Sequence, residues 1–454
     1  VGIGAVPREH RRQAAVTITD HLLPAHGMPR SGAAARAILA AHLARRAWRG
    51  LRAGEGAIHA ARRAVGDAVL LEVTAQTFGV GSIIRGRQGL FPHIFMPEYH
   101  GPHFAEAVRR TVMPLRGPNI AYFSLTGACP CHCEYCFAGA GGAKSPDLGD
   151  EVVLRVADAI AAQRIPLVNI SGGEPLTRYA RLLAAVRALS AGCEVRMFTT
   201  GIGLTERRLA ELQDAGLKGL FVSLDGADRE AFDRARGLQG AFDAAVAALR
   251  LAASRDVLTF VNCVVSRSAF PDERDVERFL KFVEAIDPRV VVNFLPQLST
   301  GRGTDADSFR APDECHPVAE RIVGAARRLG RPVTMLFGAV DYFMGCVGAG
   351  GKLLNIDING NVTVCISKAA IGNVLEEPFA DIYQRFLARC GRLKVGFFCC
   401  KVGDEGDGSI LGAPASEAAL NEFYEEKPDA LWQKVLDRHG WLLARLYPAE
   451  APNT

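Results

Sequence analysis

The sequence predicts an α/β chain built around an open or partial barrel of six β/α units, a partial (β/α)6 barrel, with a helical N-terminal domain and a small C-terminal domain containing a β-hairpin. Three observations carry this. Between residues 119 and 296, short β-branched runs alternate with amphipathic helical segments, the order expected of parallel β/α units. Residues 1–115 are rich in Ala and Arg and space their apolar residues at helical intervals. Around Asn359-Gly360 apolar and polar residues alternate on both sides, the strongest short hairpin signal.

Taken in order, "SGAAARAILAAHLARRAWRGL" from Ser31 reads as a helix with a Ser-Gly start. No strand alternation shows in this region until the stretch 68–84, which is ambiguous. Pro and Gly in "MPLRGPN" (113–119) mark a boundary. Strands are then expected at 120–126, 166–171, 194–200, 219–226, 257–266 and 289–296. Helices are expected at 150–163, 178–190, 204–216, 241–254 and 273–286. In such folds the chemistry sits at the C-terminal ends of the strands. The hairpin spans 353–365, and a Gly/Asp-rich linker with two helices comes after it from about 404. Four units are therefore expected: 1–115, mainly helical; 116–340, the barrel; 341–403, the hairpin domain; and 404–454, a helical tail.

The net charge of +4 over 454 residues points to neither nucleic acid nor a membrane surface. No apolar run approaches the ~18 residues of a membrane span. The twelve cysteines are unevenly placed. Cys129, Cys131, Cys133 and Cys136 fall within eight positions, and five more lie between Cys346 and Cys400. In a chain long enough to build a core, a disulfide framework explains this poorly; clustered thiols read as metal ligands in a reducing compartment, so a cytoplasmic location is expected. Cys193 and Cys263 sit in apolar, strand-like surroundings and read as small core residues; Cys315 stands alone.

Cys129, Cys133 and Cys136 fit C-x3-C-x2-C directly after the first barrel strand, and Cys131 fits no register of that spacing. Three thiolates on one tight loop can hold three corners of a [4Fe–4S] cluster, leaving one iron open to a small molecule. Zinc is the competing reading, but its structural sites usually pair C-x2-C with a second such pair, which is missing here. No Walker A sequence, no G-x-G-x-x-G after a strand, no H-E-x-x-H and no G-x-S-x-G is found.

The cysteine motif with Tyr135 as its aromatic resembles that of the radical S-adenosylmethionine (SAM) superfamily, and the resemblance implies roles for further residues. "SGGEP" (171–175), at the end of the second strand, looks like the family's GGEP motif. It makes Gly172, Gly173, Glu174 and Pro175 candidates for binding the amino group of SAM through their backbone. By the same resemblance, Ser223 and Asp225 of "VSLDG" look like the family's serine-and-acid strand ends, and Ser223 with Arg236 of the later "ARGLQGAF" are candidates for the SAM carboxylate, with Arg234 close enough to compete. In "FTTGI", Thr200 replaces the family's usual Asn, so no binding role passes to it. Cys346 and Cys365, with Gly360 between them, resemble the opening of SPASM and twitch extensions. That likeness implies an auxiliary iron–sulfur cluster on Cys346, Cys365 and one or both of Cys399 and Cys400, with Cys390 or another group completing it. A structural zinc knot at the same residues stays open.

The resemblance implies a radical SAM enzyme that reductively cleaves SAM to a 5′-deoxyadenosyl radical. That radical abstracts hydrogen from an unactivated C–H bond of a specialised metabolite or peptide. Flavodoxin or ferredoxin would supply the electron. Two alternatives remain: a leader-dependent peptide maturase, against which the mainly helical N-terminus weighs, and a non-catalytic iron–sulfur or zinc scaffold or electron carrier.

Overall fold

The computed structural model describes residues 117–142, 145–255, 257–297, 301–303, 307–309, 312–331, 333–335, 353–363 and 370–390, with shorter pieces between 48 and 110. The expected helical N-terminal domain lies largely outside these residues. So do the 404–454 tail and the side chains of Cys346, Cys365, Cys390, Cys399 and Cys400.

Six parallel strands form the centre: β1 (Ile120–Ser124), β2 (Leu167–Ser171), β3 (Glu194–Thr199), β4 (Leu217–Ser223), β5 (Leu258–Val265) and β6 (Val291–Pro296). They lie side by side in chain order, as the alternating pattern predicts. A seventh, β7 (Val333–Met335), extends the sheet beyond β6. The predicted hairpin is present as β8 (Leu353–Ile356) and β9 (Asn361–Thr363), turning at Gly360 with φ +83°. It is not a sheet of its own: β8 pairs in parallel with β1, Leu353 opposite Ile120. A short β10 (Gly372–Asn373) completes that edge. Among the described residues the sheet ends on β10 and β7, which leaves the barrel open there.

The helices are α1 (Asp150–Ala162), α2 (Tyr179–Ser190), α3 (Glu206–Asp214), α4 (Arg229–Arg236), α5 (Ala241–Ser254), α6 (Glu273–Ile286), α7 (Pro312–Leu329) and α8 (Phe379–Cys390). Their starts have local causes. Thr205 caps α3 and Asp228 caps α4, and Asp272 with Asp275 forms a capping box on α6. Because the N-cap of α5 is Gly240, which has no side chain to accept a hydrogen bond, the N–H groups there find a partner elsewhere: the buried carboxylate of Asp233 accepts from Gly240 N (2.7 Å) and Phe242 N (2.8 Å).

Helices bury one stripe each against the outer face of the sheet, as α1 does with Val153, Val156, Ala157 and Ile160. Inside, register places Phe198, Phe221 and Phe260 side by side on β3, β4 and β5. Their rings stack at 4.4 and 4.6 Å, and Tyr122 joins at 5.8 Å from Phe198. Each such pair contributes about 0.5–1.5 kcal/mol beyond its burial. The N-terminal end of the barrel is plugged by a buried ion pair. Arg196 donates to Glu194 (2.6 Å) and to the Met96 carbonyl (2.6 Å), and Glu98 N–H donates to Glu194 (2.6 Å). The opposite end is left for chemistry.

Candidate active site

The loop after β1 carries Cys129, Cys131, Cys133 and Cys136, and its backbone is held from three sides. From β2, Gly173 N–H donates to the Thr126 carbonyl (2.6 Å) and Glu174 N–H to the Ala128 carbonyl (2.8 Å). From α4, the otherwise unpaired carbonyls of the last turn are used: Arg236 O accepts from His132 N–H (2.8 Å) and Ala235 O from Glu134 N–H (3.2 Å). From the segment after β6, Arg302 donates its N–H to Cys136 O (2.9 Å) and its Nε to Cys133 O (2.8 Å). Gly301 permits that approach at φ +63°; a Cβ there would lie 2.2 Å from Cys136 O.

The glycine pair has the same kind of cause. A Cβ on Gly172 would meet Thr126 O at 2.5 Å, and one on Gly173 would meet Ala128 O at 2.2 Å. What comes close to the Cβ positions of these glycines is the cysteine loop itself. Gly173→Ala is accordingly expected to destabilise the protein by about 1–3 kcal/mol, read as a lower thermal midpoint. An unchanged midpoint would mean that the loop retreats freely.

Cys131 is buried at 1% exposure, and its thiol shares contacts with those of Cys129 and Cys133. These hydrogen bonds, and then burial, push the Cys131 thiol far up. The same hydrogen bond from Cys131 pulls Cys129 down, against burial. Cys133 is pulled down to about 6, first by Cys131 and then, against burial, by the charge of Arg236. Cys136 is half-buried. Cys193 and Cys263 are buried core thiols, as expected, and burial pushes Cys193 up to about 12.

Of the two candidate arginines, Arg234 is exposed, whereas Arg236 is 6% exposed and faces the cysteines. Its Nη1 lies 3.7 Å from Cys133 Sγ, its Nη2 donates to Asp225 Oδ2 (2.6 Å), and its guanidinium packs on the rings of Phe232 and Tyr135. Its Nε is buried without a partner among the described residues. The Tyr135 hydroxyl donates to Asp225. Ser223 is half-buried at the end of β4.

Glu174 and Pro175 do structural work. Glu174 is fully buried and caps the 3-10 turn Pro175–Arg178 by accepting from Leu176 N (3.0 Å), with Pro175 in the first position. Its remaining acceptor sites take Thr199 Oγ1 (2.9 Å), Thr200 N (2.6 Å) and Thr200 Oγ1 (2.6 Å). The Glu174 side chain is thus committed to the end of β3, and only the backbone of 172–174 is left to serve a ligand. Thr200, given no role from sequence, is its partner. Sequence reasoning also misses Arg302, and it marks Asp225 only as the acid of a strand end. No motif marks Arg302, while Asp225 stands in "VSLDG" beside Ser223.

A cysteine loop in this setting has known counterparts. Residues 123–283 match the radical SAM superfamily. The chain is 30% identical over 277 residues to a PqqA peptide cyclase of Ruegeria pomeroyi, covering 59% of this chain and 73% of that protein. The chain belongs to the radical SAM superfamily. It is also 28% identical over 295 residues to an AdoMet-dependent heme synthase of Methanosarcina barkeri, covering 59% of this chain and 82% of that one. Its fold is similar to that of Streptococcus suis SuiB bound to precursor peptide SuiA, with a TM-score of 0.50 and 14% identity over 73% of this chain and 78% of that one.

A radical SAM enzyme uses SAM and a [4Fe–4S] cluster, and the loop fits such a cluster by its donor chemistry. Three thiols sit on one braced loop, two of them drawn toward the thiolate, with a guanidinium beside Cys133 to offset negative charge. Among the described residues, no three His, Cys, Asp or Glu side chains gather on one ion. A cubane does not require that, since each thiolate takes its own iron. Also among the described residues, no helix is long and apolar enough to cross a membrane.

Proposed function

We propose that this radical SAM enzyme acts on a C–H bond of a peptide, with its cluster on Cys129, Cys133 and Cys136. The observation that carries the reading is the cysteine loop, braced by the turn after β2 and the last turn of α4, in a chain 30% identical to a peptide cyclase. When bound, the cluster and SAM supply a reductively generated 5′-deoxyadenosyl radical, and the hard chemistry is theirs.

The chain's own residues position and shield. The backbone of Gly172, Gly173 and Glu174 faces the ligand's amino group, held there by the capped turn at Pro175. Arg236 and the Ser223 hydroxyl serve the carboxylate, a guanidinium being well matched to it. Tyr135 lies along Arg236 beside the loop, and the stacked rings of Phe198, Phe221 and Phe260 keep the barrel interior apolar. The segment 341–403 forms the auxiliary iron–sulfur domain, with Cys346, Cys365 and one or both of Cys399 and Cys400 as ligands. The electron comes from a flavodoxin or ferredoxin.

Similarity to a heme synthase supports a second reading, a small-metabolite substrate. Reduced, reconstituted protein given SAM is expected to release 5′-deoxyadenosine; none at all would sink the enzyme reading. Extract from cells grown in deuterated medium, split into peptide and small-metabolite fractions, separates the two substrates. Deuterium should enter 5′-deoxyadenosine from the peptide fraction. Transfer from the small-metabolite fraction alone would replace the peptide reading.

A further inference from the structure

Asp225 lies just past β4, and none of the roles above uses it. Both of its oxygens are engaged. Oδ1 accepts from the Val264 N–H (2.8 Å) on β5, while Oδ2 accepts from Arg236 Nη2 (2.6 Å) and from the Tyr135 hydroxyl. The carboxylate is therefore pinned to the sheet backbone and presents a fixed edge to the guanidinium. The other neighbours of Arg236 are softer: the Phe232 ring at 5.0 Å, the Tyr135 ring at 5.3 Å and Cys133 Sγ at 3.7 Å from Nη1. Among the described residues, Asp225 alone fixes the direction of the fork.

We infer that Asp225 is a positioning residue for the iron–sulfur centre: by tying Arg236 to the β5 backbone, it holds a positive charge against Cys133 Sγ and thereby sets the reduction potential of the cluster. The inference rests on Cys133 being a cluster ligand, as proposed above. A cation beside a ligand sulfur favours the more negative, reduced state and raises the potential. Asp225 has a negative charge of its own, which acts in the opposite sense from farther away. The two contributions can be told apart by sign. If Asp225 acted only as a charge, removing that charge would raise the potential. If it acts by position, its removal frees Arg236 and the potential falls.

Asp225→Asn separates these cases. A carboxamide has one acceptor oxygen, which can serve Val264 N–H or the guanidinium; turned to Val264, its NH2 faces Arg236 donor to donor. The experiment is an anaerobic redox titration of the reconstituted full chain without SAM. It monitors by electron paramagnetic resonance the cluster signal that SAM afterwards perturbs. Asp225→Asn is expected to keep wild-type iron and sulfide and to titrate at a more negative potential, in the same direction as Arg236→Gln. A potential that is unchanged or more positive overturns the inference. Should Asp225→Asn lose its iron, Asp225→Glu, which keeps the charge but displaces it, is judged by the same criterion. Wild-type protein that takes up no iron would instead overturn the cluster assignment.

Discussion

Cys133→Ala is expected to strip the cluster from the 129–136 loop and to reduce 5′-deoxyadenosine formation to below about one hundredth of wild type, since the cofactor carries the chemistry. Cys131→Ala is expected to leave iron content and turnover within about twofold. The two residues are separated by a single position and have opposite characters. Cys133 lies beside Arg236 and is drawn down to about 6 by its neighbours, a thiol ready to be a thiolate ligand. Cys131 is buried at 1% exposure and pushed far up, so it retains its proton beside Cys129 and Cys133. Truncating it deletes one buried sulfur, a loss of about 1 kcal/mol. Iron and sulfide per chain, measured beside turnover for each variant, check the pair. If Cys131→Ala loses the iron and Cys133→Ala keeps it, the assigned register is wrong.

What could be read from sequence was whatever a single residue type can alone provide. Thiol ligands must be cysteine, and a backbone approach that leaves 2.2 Å for a Cβ must be glycine. Both therefore stand out as motifs, and at Gly173 the close approach is to the cysteine loop. Helices with strong apolar stripes are equally clear: α5 and α6 begin and end where the periodicity does. By contrast, α4 has eight residues, too few for a period, and Pro317 inside α7 reads locally as a break. Parallel pairing of β8 with β1 joins residues more than two hundred positions apart, which no local pattern encodes. Arg234 and Arg236 cannot be distinguished as letters. Two positions along a helix turn the side chain by about 200°, and only the fold shows which of the two meets Cys133.

Glu174→Ala is expected to destabilise the protein by about 3–5 kcal/mol, because removing one partner strands buried polar groups. Four donors converge on this carboxylate: Leu176 N, Thr199 Oγ1, Thr200 N and Thr200 Oγ1. They join the turn after β2 to the end of β3, and through Glu174 N–H the same residue holds Ala128 of the cysteine loop. Glu174→Gln keeps the shape but offers one acceptor oxygen, leaving one backbone N–H opposed by another donor, for about 1–3 kcal/mol. Burial raises the Glu174 carboxyl above its ordinary value, against the pull of the four donors. A carboxyl raised in the folded state contributes stability that is complete below its unfolded pKa and lost as pH rises through its folded value. The thermal midpoint of wild type should therefore fall across that window more than that of Glu174→Gln, which has no carboxyl to titrate there. Parallel midpoint curves for the two proteins would mean that the Glu174 carboxyl titrates as it does in water, and that the four donors fully offset its burial.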